Sequence, residues 1–300
     1  MSNNKLAFVF PAFTGDYIDH PGRNLPGFDE LFTTLLTKAA NRVDTRLASF
    51  DFSGETFADH ELRTQYITYI YSCTASLILK VKGVTPAINA GYSMGIYAAL
   101  FNAGAVSFET GLDLICAAFE AITKNIDLHL FGMGTIIGLT QAEIRQLIDQ
   151  SSLRVYITNQ NATHSFVVSG YSNDIQKLRD SATDEGALHT SKLAVSVPYH
   201  AIYLQSASKD FAQHIRSFRI DNSATPVISL IDQVILTNAG LIRNELERNL
   251  FQPLNWFNTM QILLKQGISG FIECGSSKGL TRNAKFVDGA IFSPLSSIVT

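Results

Sequence analysis

Two residues carry the chemistry legible in this sequence: Ser93 in Gly91-Tyr92-Ser93-Met94-Gly95, and His200 at the end of Val197-Pro198-Tyr199-His200. The first stretch is G-x-S-x-G, the pattern of a serine on a tight strand-to-helix turn, where neighbours without a Cβ let the turn close and the Oγ project. The apolar run TPAINAG precedes it and MGIYAALFNAG continues with helical patterning. That context sets the Met94 N–H at a helix N-terminus, where a developing oxyanion is favoured. Ser93 is therefore a candidate nucleophile and Met94 a candidate oxyanion donor. The alternative is that the two glycines only let helix and strand pack closely. A serine nucleophile also needs a base. Of seven histidines, His20, His60, His129, His164, His189 and His214 stand in polar or loop-like surroundings and read as solvated. His200 instead closes the apolar run LAVSVPYH, with a proline two residues before it, which predicts a rigid extended segment fixing the imidazole as a general base requires. A hydrogen-bonded core histidine is the competing reading.

The elements that must position this pair follow from periodicity. Leu6 to Phe10 and TPAINAG are continuous apolar runs, as in strands buried on both faces of a parallel sheet. Helical patterning covers Phe28 to Thr45, Leu62 to Lys82, Met94 to Asn102 and Glu109 to Lys124, giving an α/β alternation. From Gly134 the order becomes strand (GTIIGL), helix (Gln141 to Gln150), strands LRVYITN and SFVVSG, helix (Asn173 to Glu185) and strand ALHTSKL. That βαββαβ order is the ferredoxin-like unit. TPVISLID reads as a further strand, the stretch from Gly240 to Gly267 as helix broken at Pro253, and GFIECG as a last buried strand. The fold class expected is α/β: a large subdomain with a parallel sheet over 1–128 and 194–300, and an inserted small subdomain over 129–193.

The 300 residues, 46% hydrophobic and 16% charged, suffice for a large core. A net charge of −3 gives no basis for neutralising phosphates, which excludes nucleic-acid binding as an expectation. No apolar run approaches the ~20 residues of a membrane span, and the N-terminal MSNNKLAFVFPAF is too short in its apolar part for a signal peptide, so a cytoplasmic protein is expected. Cys73, Cys116 and Cys274 are few and far apart, which reads as reduced core thiols rather than a disulfide frame or a zinc site. No metal is expected, and a monomer is the expected state.

FVFPAFTG, GYSMG, VPYH and NLFQPLNW occur in an order and at a spacing that resemble the malonyl-CoA:acyl-carrier-protein transacylases and the acyltransferase domains of polyketide synthases, whose patterns are F-P-G-Q-G, G-H-S-x-G, V-P-S-H and Q-x-x-N-P-V-x-W. The resemblance spans nearly the whole chain, inserted unit included. It implies a hydrolase-like large subdomain. It also implies that Ser93 is acylated by a thioester, with His200 as base and then as acid toward the leaving thiol. No bound cofactor is implied; the phosphopantetheine thioester of acyl carrier protein, or CoA, is the substrate. The oxyanion hole maps onto the backbone N–H groups of Met94 and Phe13, and the carbonyl that orients the histidine onto Asn249. Because these are backbone groups, the changed side chains are expected to cost little.

Four departures carry further meaning. Malonyl-transferring relatives hold the substrate carboxylate with an arginine in the helix after the serine's helix. That site falls at or beside Cys116, and no basic residue lies between Gly111 and Ala121. An unpaired buried carboxylate costs several kcal/mol, so a neutral acyl group is expected. Tyr92 replaces the motif histidine and Tyr199 the serine of V-P-S-H, which makes the acyl pocket bulkier and more aromatic. Two functions share the acyl-serine: hydrolytic editing of neutral acyl groups on a carrier protein, and transacylation between CoA and the carrier. The altered Pro11-Ala12-Phe13-Thr14 loop and the missing arginine tilt the expectation toward editing. A malonyl transferase with a relocated cation, Arg23 or Lys124, and a catalytically silent carrier-docking module are the remaining alternatives.

Overall fold

The computed structural model describes residues 5–12, 17, 19–53 and 60–295. In chain order these form β1 (Lys5–Phe10), α1 (Phe28–Arg42), α2 (Glu61–Val81), β2 (Ile88–Gly91), α3 (Ile96–Asn102) and α4 (Phe108–Asn125). Next come β3 (Phe131–Ile137), α5 (Gln141–Gln150), β4 (Val155–Ala162), β5 (Ser165–Tyr171), α6 (Ser172–Asp184) and β6 (His189–Lys192). The chain continues through α7 (Gln205–Ile215), β7 (Val227–Ile228), β8 (Ile235–Leu236), α8 (Ala239–Asn249), β9 (Leu254–Asn255), α9 (Trp256–Lys265), β10 (Ile268–Glu273) and α10 (Gly279–Ala284).

One sheet has the order β10-β1-β2-β7-β8. Its first four strands run parallel and β8 is antiparallel to β7. Alternation along β1 divides the core, as the two-residue period of a strand requires. Phe8 and Phe10 point into the cluster built by α1 to α4, while Ala7 and Val9 face Trp256, Met260 and Leu263 of α9. Nearly every residue from Thr64 to Leu79 is buried, so α2 is enclosed on all sides, and its Thr, Tyr, Gln and Ser side chains are polar groups inside the large core.

The other sheet has the order β6-β3-β5-β4-β9. Without β9 it is the antiparallel ferredoxin-like arrangement, with α5 and α6 closing a core of its own around Ile144, Phe166, Val168 and Leu178. Its own elements span Phe131 to Lys192, and on that ground we propose the division of 129–193 from 1–128 with 194–300. β9 arrives from the large body and pairs in parallel with β4 through Asn159 and Gln160.

Several expectations are corrected. TPVISLID contributes only Val227–Ile228 to the sheet, because Ser229 turns the chain back by accepting the N–H groups of Ile231 and Asp232. The helix after Ser93 opens with a 3-10 turn over Ser93–Gly95 and becomes α-helical at Ile96. His20 is not solvated: it is 4% exposed, stacked on Phe52 and bonded to the Tyr71 hydroxyl. Cys73 and Cys274 are core thiols as expected, whereas Cys116 is half-buried. Among the described residues no helix is long and apolar enough to cross a membrane.

Candidate active site

The C-terminal ends of β1 and β2 bring the site together. Ser93, one residue beyond the end of β2 past Tyr92, holds φ = 55°, a left-handed conformation that costs a residue with a Cβ about 1–3 kcal/mol. The strain thus sits on the serine itself, and the two glycines serve close approach. A Cβ on Gly91 would overlap the Ile96 backbone, and one on Gly95 would overlap the carbonyls of Phe10 and Pro11. Gly95→Ala is therefore expected to push β1 and the turn apart, costing about 1–3 kcal/mol. A lowered melting temperature together with loss of Ser93 reactivity checks this.

Ser93 Oγ lies 2.7 Å from His200 Nε2, and both residues are buried. His200 is not in an extended segment. It takes φ = 61° in a turn, and its backbone N–H donates to the Leu250 carbonyl at 2.8 Å. Burial pushes the imidazole down to about 4, partly offset by the carbonyls of Gln252 and Asn249, which favour the charged ring. Neither carbonyl has hydrogen-bond geometry to Nδ1, which is without a partner among the described residues. Asn249 also acts through its side chain, whose Nδ2 donates to the Ser93 carbonyl at 3.3 Å. This bond ties the end of α8 to the strained turn.

The remaining candidates occupy distinct places. Met94 follows Ser93 in the 3-10 turn and, with Gly95, borders a void of about 10 Å³ lined also by Pro11, Gln65, Ser72 and Ile115. That is room for about one water or one methyl group. Phe13 lies outside the described residues. Tyr92 stands edge-on to Trp256, and its hydroxyl donates to Asn161 Oδ1 at 2.8 Å and accepts from Asn159 Nδ2 at 3.0 Å, joining the serine turn to β4. Tyr199 is 3% exposed; its hydroxyl donates to Glu61 Oε1 at 2.9 Å and accepts from Gln65 Nε2 at 2.8 Å. α4 presents Ile115 to the void, while the Cys116 Sγ is directed along the helix to Glu120 at 3.5 Å. Lys124 binds Asp210 on the surface, and Arg23 is exposed in a 3-10 turn over Pro21–Asn24. No described basic side chain borders the void.

Glu61 and Gln65 are functional candidates that the sequence did not single out. Among the described residues no cluster of His, Cys, Asp and Glu could hold a metal ion.

A strained serine on a strand-to-helix turn at the C-terminal edge of a parallel sheet, 2.7 Å from a buried imidazole, places the protein in the α/β fold class. Within that class the chain belongs to the acyl transferase domain family, whose model matches residues 67–273. It is 26% identical over 292 residues to the malonyl CoA-acyl carrier protein transacylase of Bacillus subtilis, covering 95% of this chain and 91% of that one. The solved malonyl CoA-acyl carrier protein transacylase of Coxiella burnetii superimposes with a TM-score of 0.89 at 28% identity, over 99% and 96% of the two chains. A type II polyketide synthase acyl-carrier protein in complex with its malonyl-transacylase provides another likeness, one of fold, with a TM-score of 0.88 at 22% identity over 98% and 97%.

Proposed function

We propose that this acyltransferase-family protein moves a small, uncharged acyl group from the thioester of CoA to the pantetheine thiol of an acyl carrier protein, through an ester on Ser93. The 2.7 Å contact between Ser93 Oγ and His200 Nε2 carries the reading. In the first half-reaction Oγ attacks the thioester carbonyl and its proton passes to Nε2. The C–S bond then breaks, and His200 returns the proton to the departing sulfur. In the second half the pantetheine thiol gives its proton to His200, sulfur attacks the ester, and Oγ leaves and is reprotonated. The Met94 N–H receives the oxyanion in both halves, and Phe13, outside the described residues, is the second donor that the resemblance implies. The pantetheine arm is substrate, so no bound cofactor is called for.

Transfer replaces the hydrolytic editing expected from the sequence. The relatives are named as transacylases, and the burial of Ser93 and His200 favours a thiol delivered on an arm over bulk water. A malonyl group is the second reading, favoured by those names, while the absence of a described cation at the void favours an uncharged one.

Mixing the protein with acetyl-CoA or malonyl-CoA, then adding carrier protein bearing a free pantetheine thiol, tests both by intact mass. The expected result is an acetyl adduct on Ser93 that moves to the carrier, with malonyl slower by about tenfold or more. Faster malonyl transfer would establish the second reading. Release of free acid in place of transfer would return the protein to hydrolysis. No adduct from either thioester would leave a docking role.

A further inference from the structure

A chain of three side chains, the half-buried Glu61 and the buried Tyr199 and Gln65, runs from the start of α2 to the void beside Met94, and its hydrogen-bond directions are determined from one end. Glu61 Oε2 lies 3.4 Å from the Ser196 N–H and 3.3 Å from its hydroxyl, both donors to it, so this carboxylate serves as an acceptor. Its Oε1 accepts the one proton of the Tyr199 hydroxyl at 2.9 Å. Having given that proton away, the Tyr199 oxygen can only accept from Gln65, and Gln65 must turn its amide nitrogen toward it, at 2.8 Å. The amide oxygen is then forced to the opposite side. Gln65 Oε1 is buried without a partner among the described residues, in a side chain that lines the void, and Ser72 Oγ in the same lining is also unpartnered.

We infer that Glu61, acting through Tyr199, is a positioning residue that fixes the Gln65 amide with its oxygen toward the void and thereby sets the site's preference for uncharged acyl groups. The inference rests on the proposed acyl-serine function and adds the device that would select its substrate. One oxygen of a carboxylate reaching the void, which has room for about one water, would meet a buried carbonyl oxygen with no cation among the described lining residues to offset it, and both groups are acceptors only. An uncharged acyl group meets no such repulsion. The polarity is reversible in principle. An amide at position 61 can accept from Ser196 with its oxygen and donate to Tyr199 with its nitrogen. Tyr199 would then donate to Gln65 Oε1, turning the Gln65 NH2 toward the void, where it can donate to one oxygen of a carboxylate reaching it.

The test compares Glu61→Gln with Glu61→Ala. Ser93 acylation rates from acetyl-CoA and malonyl-CoA are measured for both variants and for the unmodified protein. In Glu61→Gln the malonyl-to-acetyl ratio is expected to rise about tenfold or more, the effect of turning donors toward a charged partner. In Glu61→Ala both rates fall and the ratio stays near its starting value. Equal ratios in the two variants would overturn the inference, since a merely structural Glu61 predicts that outcome. The side-chain amide NMR resonances of Gln65, identified by their loss in Gln65→Glu, supply a readout independent of chemistry. They are expected to shift more in Glu61→Gln than in Glu61→Ala, and equal shifts would overturn the relay. If no variant is acylated by either thioester, the transfer reading fails, and the amide resonances still decide the relay.

Discussion

Ser93→Ala is expected to abolish the covalent acyl adduct and to lower acyl transfer to a carrier thiol by about 10,000-fold or more, the scale seen when a serine nucleophile is removed from a working pair. Intact mass after incubation with acyl-CoA, and the rate of carrier acylation, check it. The substitution is a clean one because alanine also carries a Cβ and endures φ = 55° at the same cost as serine, so the turn keeps its shape. Gly91 and Gly95 still allow α3 and β1 their close approach. Ser93→Gly offers an internal control: it removes the hydroxyl and relieves the left-handed strain, so it should be inactive yet more stable than the unmodified protein by about 1 kcal/mol. An adduct that survives in Ser93→Ala would move the nucleophile elsewhere and end the proposed mechanism.

The pH dependence of His200 is the second large expected effect. Burial pushes its imidazole from an ordinary 6.5 down to about 4. The base is therefore neutral, and able to accept the Ser93 proton, at every pH above about 4. The acylation half-reaction should hold its rate as pH falls through 6 and decline only near 4, whereas a solvated histidine would halve it near 6.5. The same burial affects stability with a definite sign. Between 6.5 and about 4 the unfolded chain binds a proton at this residue and the folded chain does not, so stability falls as pH drops through that window. It stops falling once both states are protonated. The contribution at stake is on the order of 3 kcal/mol. His200→Ala should cost roughly as much activity as Ser93→Ala while removing this share of the acid sensitivity. Denaturant unfolding at neutral pH and near pH 5, with and without the substitution, measures the difference. A half-maximal acylation rate near 6.5 would show that the ring is solvated in the working enzyme.

The serine turn was legible in the sequence because its determinants are local: two glycines, an apolar strand before and a helical pattern after. The ferredoxin-like insertion was legible for the same reason, since six elements alternate with clear periodicity. His200 was identified by its apolar surroundings, but its conformation was misread, because nothing in VPYH marks a histidine at φ = 61°. What fixes that conformation is the bond to the Leu250 carbonyl, fifty residues on. Glu61 and Gln65 escaped notice for a related reason. Gln65 lies where α2 is buried on all sides and periodicity gives no preferred face, Glu61 is a half-buried residue at the start of that helix, and their partner Tyr199 is 134 and 138 residues away. His20 was misread because its cover is Phe52 and Tyr71, which only folding brings to it. TPVISLID yields only the two residues of β7 because one buried serine, through its hydroxyl, turns the chain.

The chain between Asn249 and Asn255 has a consequence for the order in which the molecule matures. Within seven residues it secures the Ser93 carbonyl through the Asn249 amide, the His200 N–H through the Leu250 carbonyl, and the inserted sheet through β9 on β4. Serine and histidine are 107 residues apart, with the whole insertion between them. Their meeting is thus a non-local event that waits for both folding units and for this late-synthesised tether. A nascent or half-folded chain carries a serine with no proton acceptor beside it. Under the proposed mechanism, reactivity toward thioesters consequently arises only with the finished structure, and recovery of Ser93 acylation during refolding is expected to report the last docking step rather than the formation of either sheet.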